Sequence, residues 1–153
     1  MLEEYEKKRD FEKTSEPSVS DLKESSDKPI FVVQRHDARN LHYDFRLEID
    51  GVLKSWAVPK QPPKKAGTKR LAVQTEDHPL AYADFEGEIP AGEYGAGRVE
   101  IWDRGTFELL KLKDKEIVVT LHGEELKGDY VLIRTKYGKE EKGWLLFKRP
   151  TEK

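Results

Sequence analysis

Leu41-His42-Tyr43-Asp44-Phe45-Arg46-Leu47-Glu48-Ile49 alternates apolar and polar residues without a break. A period of two belongs to a β-strand that keeps one face for a core, and it puts His42, Asp44, Arg46 and Glu48 together on the other face. Asp50-Gly51 follows, a pair that favours a two-residue hairpin turn because both residues tolerate positive φ. Val52 to Val58 then supplies a β-branched and aromatic return strand. In that hairpin Asp44 faces Ala57 and Arg46 faces Ser55, so only small side chains stand opposite the polar row. Neighbours two residues apart on one face are roughly 6–7 Å apart, near enough for two to share a metal while the third reaches its substrate.

Outward from this hairpin the strand signals recur at Ile30 to Arg35, Arg70 to Thr75, Gly97 to Asp103, Thr106 to Leu110, Glu116 to Leu121, Tyr130 to Thr135 and Trp144 to Lys148. Asp103-Arg104-Gly105 and Tyr137-Gly138-Lys139 read as hairpin turns. The pattern predicts an all-β domain over residues 29–150, mainly antiparallel and of about eight strands, closed as a barrel or stacked as a sandwich. Glu76 to Gly97 reads as a long loop rich in glycine and proline, the kind of segment on which function concentrates. Residues 1–28 are dominated by Glu, Lys, Ser and Asp, and Leu2, Tyr5, Phe11, Val19 and Leu22 are too few to make a core of their own. The segment is expected to be a charged arm, with a short helix over Leu2 to Phe11, either trailing or packed across the barrel.

Composition narrows the chemistry. A chain of 153 residues fits one domain with a core of its own. The absence of cysteine excludes disulfides, Cys-zinc sites and thiol nucleophiles, and accords with a reducing compartment. No apolar run is long enough for a membrane span or a signal-peptide core, so a soluble, cytoplasmic protein is expected. With a net charge of −2, any affinity for nucleic acid must come from a local patch. The densest basic cluster is Lys60 to Arg70, which either tracks a phosphate backbone or is a solvated loop.

Four histidines occur, and two flank one turn. The connection Asp37-Ala38-Arg39-Asn40 is short enough to bring His36 beside His42. With Asp44 they form a mixed nitrogen and oxygen donor set suited to Mn²⁺, Fe²⁺, Co²⁺ or Zn²⁺, with positions left for water and substrate. Arg46, next along the face, offers a planar fork for an anion entering there. His78, in Glu76-Asp77-His78-Pro79, reads either as a general acid or phosphate donor or as a surface turn residue. Tyr82 and Tyr94 can donate hydrogen bonds or simply pack, and His122 reads as structural. The blander account of the row from His42 to Glu48 is a solvated, internally salt-bridged hairpin face.

The run Gln34-Arg35-His36-Asp37-Ala38-Arg39-Asn40-Leu41-His42-Tyr43-Asp44-Phe45-Arg46, within Phe31 to Lys60, closely resembles the 3′-phosphoesterase domain of bacterial DNA ligase D. So do Arg70 to Pro90, Gly92 to Gly97 and Trp102-Asp103-Arg104-Gly105. The resemblance spans nearly the whole chain. It implies a Mn²⁺-dependent enzyme that heals DNA 3′ ends on a small β barrel, trimming a 3′-terminal ribonucleotide and then removing the 3′-phosphate to leave a 3′-hydroxyl. By matching position it makes His36, His42 and Asp44 the metal ligands and puts Arg46 and His78 on the scissile phosphate. Glu76 and Tyr82 match further functional positions. Lys8-Arg9-Asp10-Phe11 and Glu16-Pro17 also match, which implicates Arg9, Asp10 and Glu16 and implies that the arm docks at the site. No ligase or polymerase module accompanies the resemblance, so a free-standing, monomeric phosphoesterase is expected, working on primer-template ends of DNA or DNA/RNA beside a separate ligase or polymerase.

Two other classes compete. His42-x-Asp44 followed far downstream by His122 and Arg134 imitates the facial triad of a non-haem iron oxygenase, which needs His122 in place of His36. A non-catalytic nucleic-acid-binding barrel would instead keep salt-sensitive binding after loss of His42 and Asp44.

Overall fold

The computed structural model describes residues 28–90, 92, 96–136 and 142–150. Outside them fall the N-terminal arm with Arg9, Asp10 and Glu16, residue Tyr94 and the turn at Tyr137-Gly138-Lys139.

The hairpin around Asp50-Gly51 forms as its residues dictate. Strand β2 (Leu41–Ile49) and strand β3 (Val52–Val58) are joined by Asp50 at φ 57° and Gly51 at φ 83°, the doubly positive φ that a tight right-twisted hairpin requires. The register places Asp44 opposite Ala57 and Arg46 opposite Ser55. Strand β1 (Ile30–Asp37) lies on the other side of β2, with His36 opposite His42 and Gln34 opposite Asp44.

The remaining strands are β4 (Lys69–His78), β5 (Gly87–Ile89), β6 (Gly97–Lys113), β7 (Glu116–His122), β8 (Lys127–Arg134) and β9 (Gly143–Lys148). Neighbours run β1-β2-β3-β4-β9-β8-β7-β6, and β6 pairs back onto β1. Eight antiparallel strands therefore close a barrel, which leaves the ring without a free edge. The short β5 adds to the first residues of β6.

Alternation sends one face of every strand inward. Phe31, Val33, Tyr43, Phe45, Leu47, Ile49, Trp56, Val58, Phe107, Val119, Leu121, Tyr130, Leu132, Trp144 and Leu146 meet in one interior cluster. Tyr130 is polar but satisfied there: its hydroxyl donates to the Pro63 carbonyl at 2.7 Å. Burial, reinforced by the nearby Asp103 charge, pushes its ionisation far above the ordinary phenol value.

Two expectations are corrected. Asp103-Arg104-Gly105 is not a turn, because β6 runs unbroken from Gly97 to Lys113. Asp103 is buried, and its carboxylate accepts the N–H groups of Glu124, Glu125 and Leu126, capping the β7–β8 turn instead of making its own. Gly105 is required by crowding: a Cβ there would collide with the backbone carbonyl of His122. Glu76 to Gly97 is likewise not one long loop. β4 extends to His78, a short 3₁₀ turn covers Leu80–Asp84, and β5 follows. Leu80 and Ala83 of the 3₁₀ turn pack on Val32 and Leu53, whose side chains leave the barrel outward. The turn is thus a cap on the outer wall at β1–β2–β3.

Among the described residues no helix is long and apolar enough to cross a membrane.

Candidate metal and phosphate site

The cap decides the character of the polar row. His42, Asp44, Arg46 and Glu48 point away from the interior, yet only His42 is partly open to solvent: Asp44 is 8 % exposed, Arg46 3 % and Glu48 6 %. From β1, Gln34 joins them at 0 % and His36 at 8 %. His36, His42, Asp44 and Arg46 line a cleft of about 690 Å³ that also includes Ala57, Gln74, Thr75, Glu76, His78 and Tyr82.

His36, His42 and Asp44 each offer one donor atom within 4.8 Å of the others. The direct cross-strand pairing of His36 and His42 sets their rings 4.8 Å apart. Asp44 approaches His36 Nδ1 at 3.6 Å and His42 Nε2 at 3.3 Å. His42 Nδ1 lies 3.1 Å from the Asn40 carbonyl, to which it donates, and this turns Nε2 toward the cluster. Hydrogen bonding to Asp44 raises the His42 pKa, although burial works against it. Burial alone would raise Asp44, but hydrogen bonds from His36 and His42 and the Arg46 charge outweigh it and hold the carboxyl well below the usual range. Asp44 is therefore an anion, and two imidazoles with one carboxylate form a donor set that fits a divalent transition metal.

Arg46 is held on several sides. Its Nε donates to Gln34 Oε1 at 2.7 Å, its Nη1 to Ser55 Oγ at 2.8 Å, and its Nη2 stands 3.5 Å from Asp44 Oδ2. A buried guanidinium tolerates desolvation only with such partners. Gln34 also donates from Nε2 to the carbonyls of Tyr82 and Phe85, at 2.9 and 3.1 Å, so one amide ties β1, β2 and the cap together. Gln34 was not singled out in the sequence. Its signal was its place two residues before His36 on the same face.

His78 ends β4 opposite Leu53, and its Nδ1 lies 3.1 Å from Arg46 Nη1 and 3.0 Å from the Glu76 carbonyl. One nitrogen cannot accept from the first and donate to the second. Arginine is always a donor, so Nδ1 takes the acceptor role. Burial first, then the Arg46 charge, pushes His78 down to about 4, so it is neutral near pH 7. Tyr82 lies in the cap with its ring 4.9 Å from that of His78 and 4.9 Å from the Arg46 guanidinium carbon. Glu76 lines the cleft and is exposed.

The structure thus brings His36, His42, Asp44, Arg46, Glu76, His78 and Tyr82 to one cleft. His122 is elsewhere, on β7, where its Nε2 pairs with Glu108 at 2.8 Å. The donor group among the described residues takes His36 where the oxygenase reading needs His122. In the basic segment, Lys64 pairs with Glu125 at 2.7 Å and Arg70 donates to the Gln61 carbonyl.

A closed antiparallel barrel that carries a His-His-Asp donor group and a buried arginine on its outer wall defines a class of candidate metal site with a cation set to meet an anion. Residues 34–134 match the DNA Ligase D 3′-phosphoesterase domain, and the chain belongs to that family. It is 52 % identical over 153 residues to the multifunctional non-homologous end joining protein LigD of Pseudomonas aeruginosa, covering 96 % of this chain and 18 % of that protein. It is 53 % identical over 138 residues to the multifunctional non-homologous end joining DNA repair protein LigD of Mycobacterium tuberculosis, covering 88 % of this chain and 18 % of the relative. The Mycolicibacterium smegmatis protein is 46 % identical over 160 residues, with 97 % and 20 % covered. The chain spans about a fifth of the length of these relatives.

Proposed function

We propose that this protein is a Mn²⁺-dependent DNA 3′-end-healing phosphoesterase, removing 3′-terminal ribonucleotides as a phosphodiesterase and 3′-phosphates as a phosphomonoesterase to leave a 3′-hydroxyl. The observation that carries the reading is the His36–His42–Asp44 donor group, buried at His36 and Asp44, beside Arg46 and His78 in an open cleft. His36, His42 and Asp44 would hold Mn²⁺, or Co²⁺ or Zn²⁺ in its place, and the metal would supply a Lewis acid for a phosphoryl oxygen. Arg46, already oriented by Gln34 and Ser55, meets charge developing on the phosphate without having to reorganise. His78 enters neutral; an arriving phosphate offsets the Arg46 charge, raises its proton affinity and readies it to hydrogen-bond or protonate the departing oxygen. Tyr82 and Glu76 act at the cleft wall. Beside the domain of residues 29–150, Arg9, Asp10 and Glu16, which lie outside the described residues, support substrate binding in this reading. The substrate is a primer-template 3′ end of DNA or DNA/RNA, and a monomer works beside a ligase or polymerase.

Incubation with primer-templates ending in a 3′-ribonucleotide or a 3′-phosphate tests this. Manganese-dependent formation of 3′-hydroxyl ends, lost in His42→Ala, is expected. No such product from the wild type, or equal product from His42→Ala, overturns it.

A further inference from the structure

Tyr82 is not placed by the cap's backbone alone. The Phe85 ring stacks on it at 5.1 Å between centroids and an interplanar angle of 19°. Tyr82 in turn lies against the Arg46 guanidinium and the His78 ring, each at 4.9 Å. Phe85 is therefore the outer end of a chain of contacts that finishes at the two groups assigned to the phosphate. Its ring belongs neither to the barrel interior nor to the small apolar cluster under the 3₁₀ turn.

Its backbone is fastened closely for a half-buried residue at a rim. The Phe85 carbonyl accepts from Gln34, and its N–H donates to the Tyr82 carbonyl at 3.1 Å. On one side Asp84 pairs with Arg104 of β6 at 2.8 Å. On the other the Glu86 carboxylate accepts the Ile101 N–H at 2.9 Å. The β1–β6 register shifts at this level, between Val33–Asp103 and Gln34–Ile101, leaving Trp102 as an extra residue. Bulges of this kind release backbone groups and re-aim side chains beside active sites. Here the Ile101 N–H is turned to Glu86, and Gln34 reaches the cap.

We propose that Phe85 is a positioning residue: its flat ring fixes the plane of Tyr82, and through it the Tyr82–Arg46–His78 arrangement, so that losing the ring slows turnover without weakening metal or substrate binding. The inference rests on the phosphoesterase reading for its kinetics, and on the stacked geometry alone for its structure.

The test compares Phe85→Ala, Phe85→Leu and Phe85→Tyr on a 3′-phosphate primer-template with Mn²⁺, alongside the ring NMR signals of Tyr82 in isotope-labelled protein. Phe85→Ala should lose about 10- to 100-fold in kcat, the usual cost of a misplacement near 1 Å, with KM and Mn²⁺ affinity within about twofold. Phe85→Tyr restores turnover, and Phe85→Leu, which fills space without a flat face, does not. The Tyr82 signals shift in Phe85→Ala and Phe85→Leu and return in Phe85→Tyr. Full turnover in Phe85→Ala, or equal rescue by Phe85→Leu, overturns the proposal. If Phe85→Ala does not fold, the leucine and tyrosine variants decide. A wild type without activity sinks the phosphoesterase reading alone, and unshifted Tyr82 signals in Phe85→Leu then overturn the positioning role independently.

Discussion

Two stretches of the same barrel wall break the usual rule in opposite directions. Over β1–β2–β3 the outward face carries polar side chains that are buried: Gln34, His36, Asp44, Arg46 and Ser55. Over β4–β9–β8 part of that face is apolar and open. Leu71, Leu145 and Ile133 stand directly across from one another, and Leu71 is 47 % exposed and Ile133 37 %. An exposed leucine costs little, because apolar atoms make up much of any protein surface. A buried arginine or aspartate is costly unless every partner is supplied. The first stretch supplies them through Gln34, Ser55, His78 and the paired histidines His36 and His42, and the 3₁₀ cap closes over the result. Such an arrangement stabilises a fold poorly and preorganises charge well, so the difference between the two walls marks where the chemistry lies.

Substitutions in the first stretch should therefore act far more strongly than substitutions in the second. Arg46→Lys keeps the charge but loses the fork shared by Gln34, Ser55 and Asp44. Its kcat on a 3′-phosphate end should fall by about 10²- to 10³-fold, the typical loss for a preorganised donor, while its melting curve stays cooperative. A kcat near wild type would erase the distinction between the walls.

Acid stability gives the next effect. His78 has its pKa lowered from 6.5 to about 4 in the fold, so between these values the unfolded chain binds more protons. Stability is full above pH 6.5 and declines as pH falls toward 4. Full expression of that shift is on the order of 3 kcal/mol. In metal-free protein, denaturant titrations of wild type and His78→Gln should diverge across this window and run parallel above it. Parallel curves throughout would mean that His78 is not held in its neutral form.

The smallest effect belongs to the second wall. Leu71→Ser and Ile133→Ser should each change stability by no more than about 0.5 kcal/mol in urea titrations and leave turnover alone. A larger loss would show that this wall is packed against something in solution.

How far the sequence carried these results differs between elements. The β2–β3 hairpin was legible to its register, because Asp50-Gly51 permits only a tight turn and the alternation forbids a slip of one residue. The burial of the polar row was not legible, since alternation reports which face a side chain takes and not what covers it. The cover comes from Leu80–Asp84, a 3₁₀ turn too short to leave a periodic signal. Asp103-Arg104-Gly105 misled for a physical reason: aspartate and glycine also serve close backbone approach and capping, and here both do so in the middle of a strand. Gln34 was overlooked because a glutamine in a strand reads as solvent-facing. His36, His42, Asp44 and Arg46 could be proposed from spacing, whereas His78 and Tyr82 needed either the resemblance or the fold to join them.

The proposed function stands or falls with a metal centre built on His36, His42 and Asp44. Electron paramagnetic resonance titration of Mn²⁺ into the metal-free protein tests it most directly, because free Mn²⁺ gives a signal that disappears on binding. The account expects one tight site in the wild type and in His122→Ala, and none in His36→Ala or Asp44→Ala. Wild-type binding in His36→Ala together with its loss in His122→Ala would contradict it.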